Sequence, residues 1–148
     1  MTAREVFFLI GPGGSVVYRD EGESASFIPD SRARWEAIWS ARESLVEIAH
    51  SHPVGPLAFS AEDEGTMEAV TAALGRSVLF SVVTGDHMVR REVAPSTSPR
   101  AASDVRVPPA DEPGWVAELR RASGLERGPP PGEVAADASA TAPLLRKT

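Results

Sequence analysis

The sequence predicts an α/β fold: a mixed β-sheet flanked by helices, followed by a low-complexity C-terminal tail. Three observations carry this expectation. Short apolar segments rich in β-branched and aromatic residues alternate with segments of helical periodicity. Turns containing Gly or Pro punctuate them at short intervals. Composition then shifts near residue 94: Pro12, Pro29, Pro53 and Pro56 precede it, and the rest of the 13 prolines follow it.

The elements can be justified in order. Residues 5–10 form an apolar run that stops at Gly11-Pro12-Gly13-Gly14, and residues 15–19 follow as its hairpin partner. Residues 20–24 read as a polar loop and residues 25–28 as a third short strand. Pro29-Asp30 announces a helix with Asp30 or Ser31 as its N-cap. Trp35, Ile38, Trp39 and Arg42 recur at helical spacing, so this helix is expected to bury an aromatic face. Residues 45–49 are a strand that leads into His50-Ser51-His52-Pro53. A second helix opens at Ser60, carries Met67, Val70 and Leu74 on one side, and stops at Gly75. Residues 77–84 form another strand, which Gly85-Asp86 turns back through His87 to Val93; His87 reads as a surface turn residue.

This order sets residues 1–94 apart as the core. Residues 95–110 are Pro/Ser-rich and read as a linker. Residues 111–126 contain a short docking helix with Trp115, Leu119 and Ala122 as its stripe. Residues 127–148, which include Gly128-Pro129-Pro130-Pro131-Gly132, have too little apolar content to bury and are expected to be disordered.

Charge and composition exclude several functions. The net charge is −6, and no basic stripe exists of the kind that tracks nucleic acid. No apolar run approaches the roughly 18 residues of a membrane span, and the N-terminus lacks an apolar signal region, so a cytoplasmic protein is expected. There are no cysteines, which removes disulfides, thiolate metal sites and Cys nucleophiles. Any metal must be held by histidine and carboxylate. Gly11-Pro12-Gly13-Gly14 is a turn and not a phosphate cradle, because no Gly-Lys-Ser/Thr follows it.

Two of the three histidines are His50 and His52. Residues i and i+2 of a strand share a face, so both imidazoles are presented together, as two corners of a tetrahedral zinc site. Asp63 falls in the first turn of the following helix and can fold back as a third ligand. Three protein ligands leave one position open, the arrangement of a catalytic zinc rather than a structural one. Ser60-Ala61-Glu62-Asp63 is equally a helix start in its own right, with a serine N-cap and an acid at N3. The two roles are compatible.

His50-Ser51-His52-Pro53, then Ser60 and Asp63, resembles the H-[ST]-H-P…S-x-x-D pattern of the JAMM (MPN, JAB) zinc metalloprotease family, in its prokaryotic type. Both gaps agree, and the likeness covers about residues 4–93. The resemblance implies an MPN-like (cytidine-deaminase-like) fold and a metalloprotease or isopeptidase activity. The implied substrate is the tail of a ubiquitin-like or sulfur-carrier protein, cut after its C-terminal glycine. By the same resemblance His50, His52 and Asp63 bind Zn2+, Ser60 stabilises the tetrahedral intermediate, and an upstream glutamate is the general base. Glu5 is the natural candidate for that base. It opens the first strand, and alternation puts it on the face of Phe7 and Leu9, where burial raises a carboxyl pKa. Phe8 stands where the family has glycine, Gly11 arrives one residue early, and the family's first helix has no room here; Glu21 and Glu23 are the alternatives. Glu47 faces away from His50 on its own strand. Two further readings stand beside the peptidase: a non-catalytic MPN-type interaction module with a vestigial or structural metal site, and a different zinc hydrolase acting on a small amide.

Overall fold

The structure, a computed structural model, describes residues 3–21 and 32–125. Six strands form one mixed sheet: β1 (Val6–Ile10), β2 (Val16–Glu21), β3 (Glu47–Ser51), β4 (Val78–Val83), β5 (Met88–Val93) and β6 (Val105–Val107). Among the described residues three α-helices flank it: α1 (Arg32–Ser40), α2 (Ala61–Leu74) and α3 (Gly114–Ala122). The strand order is β2-β1-β3-β4-β5-β6, and β3–β4 is the one parallel pair among the described residues. A parallel pair needs a crossover, and α2 supplies it.

Burial explains the local sequences. All five residues of β1 are buried, because this strand is covered on both faces and needs no polar alternation. On one face Phe7, Leu9, Ile48 and Phe80 pack with Ile38 of α1 and with Met67 and Val70 of α2. On the other, Val6, Phe8, Ala49, Val83 and Met88 pack with Trp115, Val116 and Leu119 of α3. The β1–β2 hairpin forms across the glycine-rich turn. Its register shifts between Leu9 and Ile10, leaving Val17 without an opposite residue. Gly75 ends α2 in the left-handed region at φ 70, where a side chain would be strained.

Several expectations need correction. Helix α1 buries Arg34 and Ile38, and of its two tryptophans Trp35 packs half-buried against the core while Trp39 does not. Trp39 is 53% exposed, with the Arg42 guanidinium 4.2 Å from its ring centroid. Arg34 is turned inward because its charge is met there: its Nε lies 3.5 Å from Asp20, and its guanidinium sits 4.7 Å from the Phe7 ring centroid. The histidine strand begins at Glu47, two residues later than expected, and takes in His50 and Ser51. Glu47 tolerates its interior position because Arg90 binds it through two hydrogen bonds, at 2.9 and 3.0 Å, and Ser81 donates to it as well. The Asp30/Ser31 cap, the 25–28 strand and the 127–148 tail lie outside the described residues.

The stretch read as a linker, 95–110, is built into the fold. Val105–Val107 pair antiparallel with β5 and widen the sheet, a three-residue strand that forms by docking on an existing edge. Arg91 holds the approach to β6, bonding Asp104, Glu64 and the Pro99 carbonyl. Leu119 of α3 is fully buried. Leu119→Ala is therefore expected to cost about 2–5 kcal/mol in urea denaturation; a cost under about 0.5 kcal/mol would show that α3 is peripheral.

Candidate metal centre

The parallel β3–β4 pair places the site. The chain leaves β3 at its C-terminal end, and α2 starts after a short loop over that same end. His52 lies one residue past β3, yet its N–H donates to the Val83 carbonyl at 2.8 Å and prolongs the ladder. The strand alternation therefore still holds, and the imidazoles of His50 and His52 face the same way. Ser60 caps α2 in a reciprocal capping box: Asp63 N–H donates to Ser60 Oγ at 3.0 Å, and Ser60 N–H donates to Asp63 Oδ2 at 2.8 Å. This local motif turns the Asp63 carboxylate back toward the strand.

The three side chains converge. His50 Nε2 and His52 Nε2 are 3.0 Å apart, and Asp63 Oδ2 is 3.5 and 3.9 Å from them. Atoms about 2.0–2.1 Å from a tetrahedral zinc lie about 3.3 Å from one another, a value these separations bracket. The group can hold a metal ion. Its surroundings suit that role. His52 Nδ1 is 3.0 Å from the Pro56 carbonyl, which accepts the ring N–H and leaves Nε2 unprotonated, its lone pair directed toward His50 Nε2 where a cation would sit between them. Asp63 Oδ2 uses one lone pair on the Ser60 amide and keeps another.

Electrostatics agree with the geometry. Burial lowers the His52 pKa below its ordinary 6.5, the charge of His50 lowers it further, and the Pro56 carbonyl and Asp63 oppose this only in part. A neutral imidazole results, as a metal requires. For Asp63, burial pushes upward, but the His50 hydrogen bond and charge and the Ser60 donors prevail and bring it down to about 2. A carboxyl whose folded pKa lies below its unfolded 3.8 stabilises fully above that value and loses the contribution as pH falls through about 2. The metal-free protein should thus lose on the order of 2 kcal/mol relative to Asp63→Asn between roughly pH 4 and pH 2. Urea titrations at stepped pH measure this; a gap that does not vary with pH would contradict it.

These ligand atoms open into a cleft of about 370 Å³, which Glu5, Arg34, Phe59, Ser60, Glu62 and Met67 also line. Glu5 is therefore brought to the same cleft as the triad. Burial raises its pKa above 4.5; the charge of His50 opposes this, whereas Asp63 and Glu62 reinforce it. Glu21 is not brought there: it pairs with Val6, on the opposite face of the sheet from Phe7 and His50, and binds Arg4 at 2.7 Å. Glu23 lies outside the described residues. Glu47 points to the α3 side, as its strand parity requires. His87 is half-buried in the β4–β5 turn rather than on the surface, and it does not join the group. Arg34 and Phe59 line the cleft as well, and sequence reasoning misses both. Phe59 lies with its ring centroid 6.3 Å from that of His50 and is backed by Arg91 at 4.8 Å. Neither residue carries a local signal, because the partners that orient them come from distant strands.

No helix among the described residues is long and apolar enough to cross a membrane. Compared with known proteins, the chain matches no family model and no curated protein.

Proposed function

We propose that this protein is a JAMM-type zinc hydrolase on an MPN-like (cytidine-deaminase-like) fold. It would cleave a peptide or isopeptide bond after the C-terminal glycine of a ubiquitin-like or sulfur-carrier protein. One observation carries the proposal: the His50, His52 and Asp63 ligand atoms converge in a cleft that also holds Glu5 and Ser60. Zinc held by His50, His52 and Asp63 would supply Lewis acidity and would lower the pKa of the attacking water to about 7.

The chain's own groups have separable tasks. The Glu5 carboxylate accepts a proton from the attacking water and returns it to the leaving nitrogen as the carbon–nitrogen bond breaks. Its raised pKa brings it closer to the range where a carboxyl can do both. The Ser60 hydroxyl oxygen is occupied by Asp63 N–H. Its proton remains for the substrate carbonyl oxygen, where negative charge develops; one such donor is worth about 10²–10³ in rate. The Pro56 carbonyl fixes the His52 tautomer, and the capping box fixes the Asp63 carboxylate. Phe59 and Met67 give the cleft an apolar wall, which strengthens electrostatic interactions within it.

The test combines metal analysis of the purified chain with cleavage of linear ubiquitin-like fusions. About one zinc per chain, together with release of a free C-terminal glycine, supports the proposal. Zinc without turnover favours the non-catalytic interaction module. Protein that takes up no zinc overturns both hydrolase readings.

A further inference from the structure

Two buried hydroxyls behind the site have no part in the chemistry just described. Ser51 stands between the two histidines, and Ser123 follows the last turn of α3; both are 0% exposed. Ser51 Oγ accepts Val6 N–H at 2.9 Å and lies 2.8 Å from Ser123 Oγ, which in turn lies 2.7 Å from the Leu119 carbonyl. A hydroxyl carries one proton, so Ser123 cannot donate to Ser51 and Leu119 together. One arrangement satisfies every group: Val6 N–H donates to Ser51, Ser51 O–H to Ser123, and Ser123 O–H to the Leu119 carbonyl. Each bond in such a buried chain strengthens the next. From the other side, the Ser123 carbonyl accepts Arg4 N–H at 3.0 Å.

Glu5 therefore sits between two anchored amides, Arg4 and Val6, and both anchors lead to Ser123. The β1–β3 ladder supplies neither anchor: Arg4 is held by the Ser123 carbonyl and Val6 by the Ser51 hydroxyl. The β1–β3 pairing reaches only to Phe7 opposite His50 and the β1–β2 pairing to Val6 opposite Glu21, so Glu5 lies just beyond the last pair, where a strand end frays unless tied down. Ser51 belongs to the ligand strand, and Ser123 belongs to a segment outside the 4–93 stretch that carries the family resemblance.

We infer that the Ser51–Ser123 hydroxyl chain positions Glu5, locking the strand that presents it to the ligand strand and to the end of α3. The inference rests on Glu5 being the general base. Ser51 and Ser123 act through Glu5 as positioning residues; neither lines the cleft.

The test uses the zinc-loaded full chain carrying Ser123→Ala or Ser51→Ala, with Ser51→Thr as the variant that keeps a hydroxyl in a strand-compatible side chain. On a linear ubiquitin-like fusion, both alanine variants should lose about tenfold or more in kcat with KM and zinc content unchanged. Ser51→Thr should restore most of it. A role confined to stability would not produce that split. Separately, amide hydrogen exchange at Val6 should accelerate in both alanine variants, a readout that needs no turnover. Unchanged exchange at Val6 overturns the inference, as does unchanged kcat in both variants, or a kcat that falls only in step with zinc. If wild type cleaves no such fusion, the base reading fails on its own. The Val6 exchange rates then decide whether the anchor exists.

Discussion

Replacing His52 by alanine is expected to remove zinc and hydrolytic activity together. The wild-type chain should retain about one zinc after dialysis, and the variant less than about a tenth of that. The reason is geometric. Two candidate ligands remain at 3.5 Å, His50 Nε2 and Asp63 Oδ2, one fewer than the three protein ligands of a catalytic zinc site. A readout independent of turnover accompanies this. Zinc binds the folded state, so at about a thousand times its Kd it should stabilise wild type by about 4 kcal/mol. His52→Ala should show almost none of that rise in thermal scans. A variant that keeps both its zinc and the thermal response would remove the metal centre from the proposal.

Glu5→Gln should separate chemistry from metal binding. The variant keeps the size and shape of the side chain but has no carboxylate to accept a proton. A fall in kcat of about 10²–10⁴ is expected, with zinc content unchanged. Stability should move the other way. Burial holds the Glu5 pKa above its ordinary 4.5. The unfolded chain therefore gives up this proton more readily, and raising pH through 4.5 costs the folded state stability. Glutamine does not ionise, so metal-free Glu5→Gln should melt no lower than wild type at pH 7, and its advantage should shrink as pH drops below 4.5. Loss of stability together with activity would mark Glu5 as a structural residue. Full activity would assign the base elsewhere and leave the triad standing.

The convergence of His50, His52 and Asp63 is legible in the sequence because its determinants are local. Strand alternation brings His50 and His52 together, and a helix cap brings Asp63 back toward them; both rules operate within 14 residues of chain. Glu5 followed from alternation as well, since its parity with Phe7 and Leu9 sets its face. The same parity argument kept Glu47 away. Expectations failed where a residue's environment is supplied by distant chain. Arg34 has no signature in its own helix, because Asp20 and Phe7, which draw it inward, belong to the β1–β2 hairpin. Val-Arg-Val is too short to be read as a strand by itself, and β6 exists because β5 offers an unpaired edge.

The sequence by itself determined the alternation of strands and helices, the capped start of α2 and the set of residues able to bind a metal. Each depends on periodicity or on contacts a few residues apart. Only the tertiary structure decided that the segment after residue 94 completes the sheet, that α3 covers its second face, and that Glu5 opens into the same cleft as the triad. It also decided that Ser123 reaches Ser51, 72 positions away. Those outcomes depend on which surfaces are left uncovered once the sheet has formed, and on buried polar groups finding partners across it. No short window of sequence encodes either.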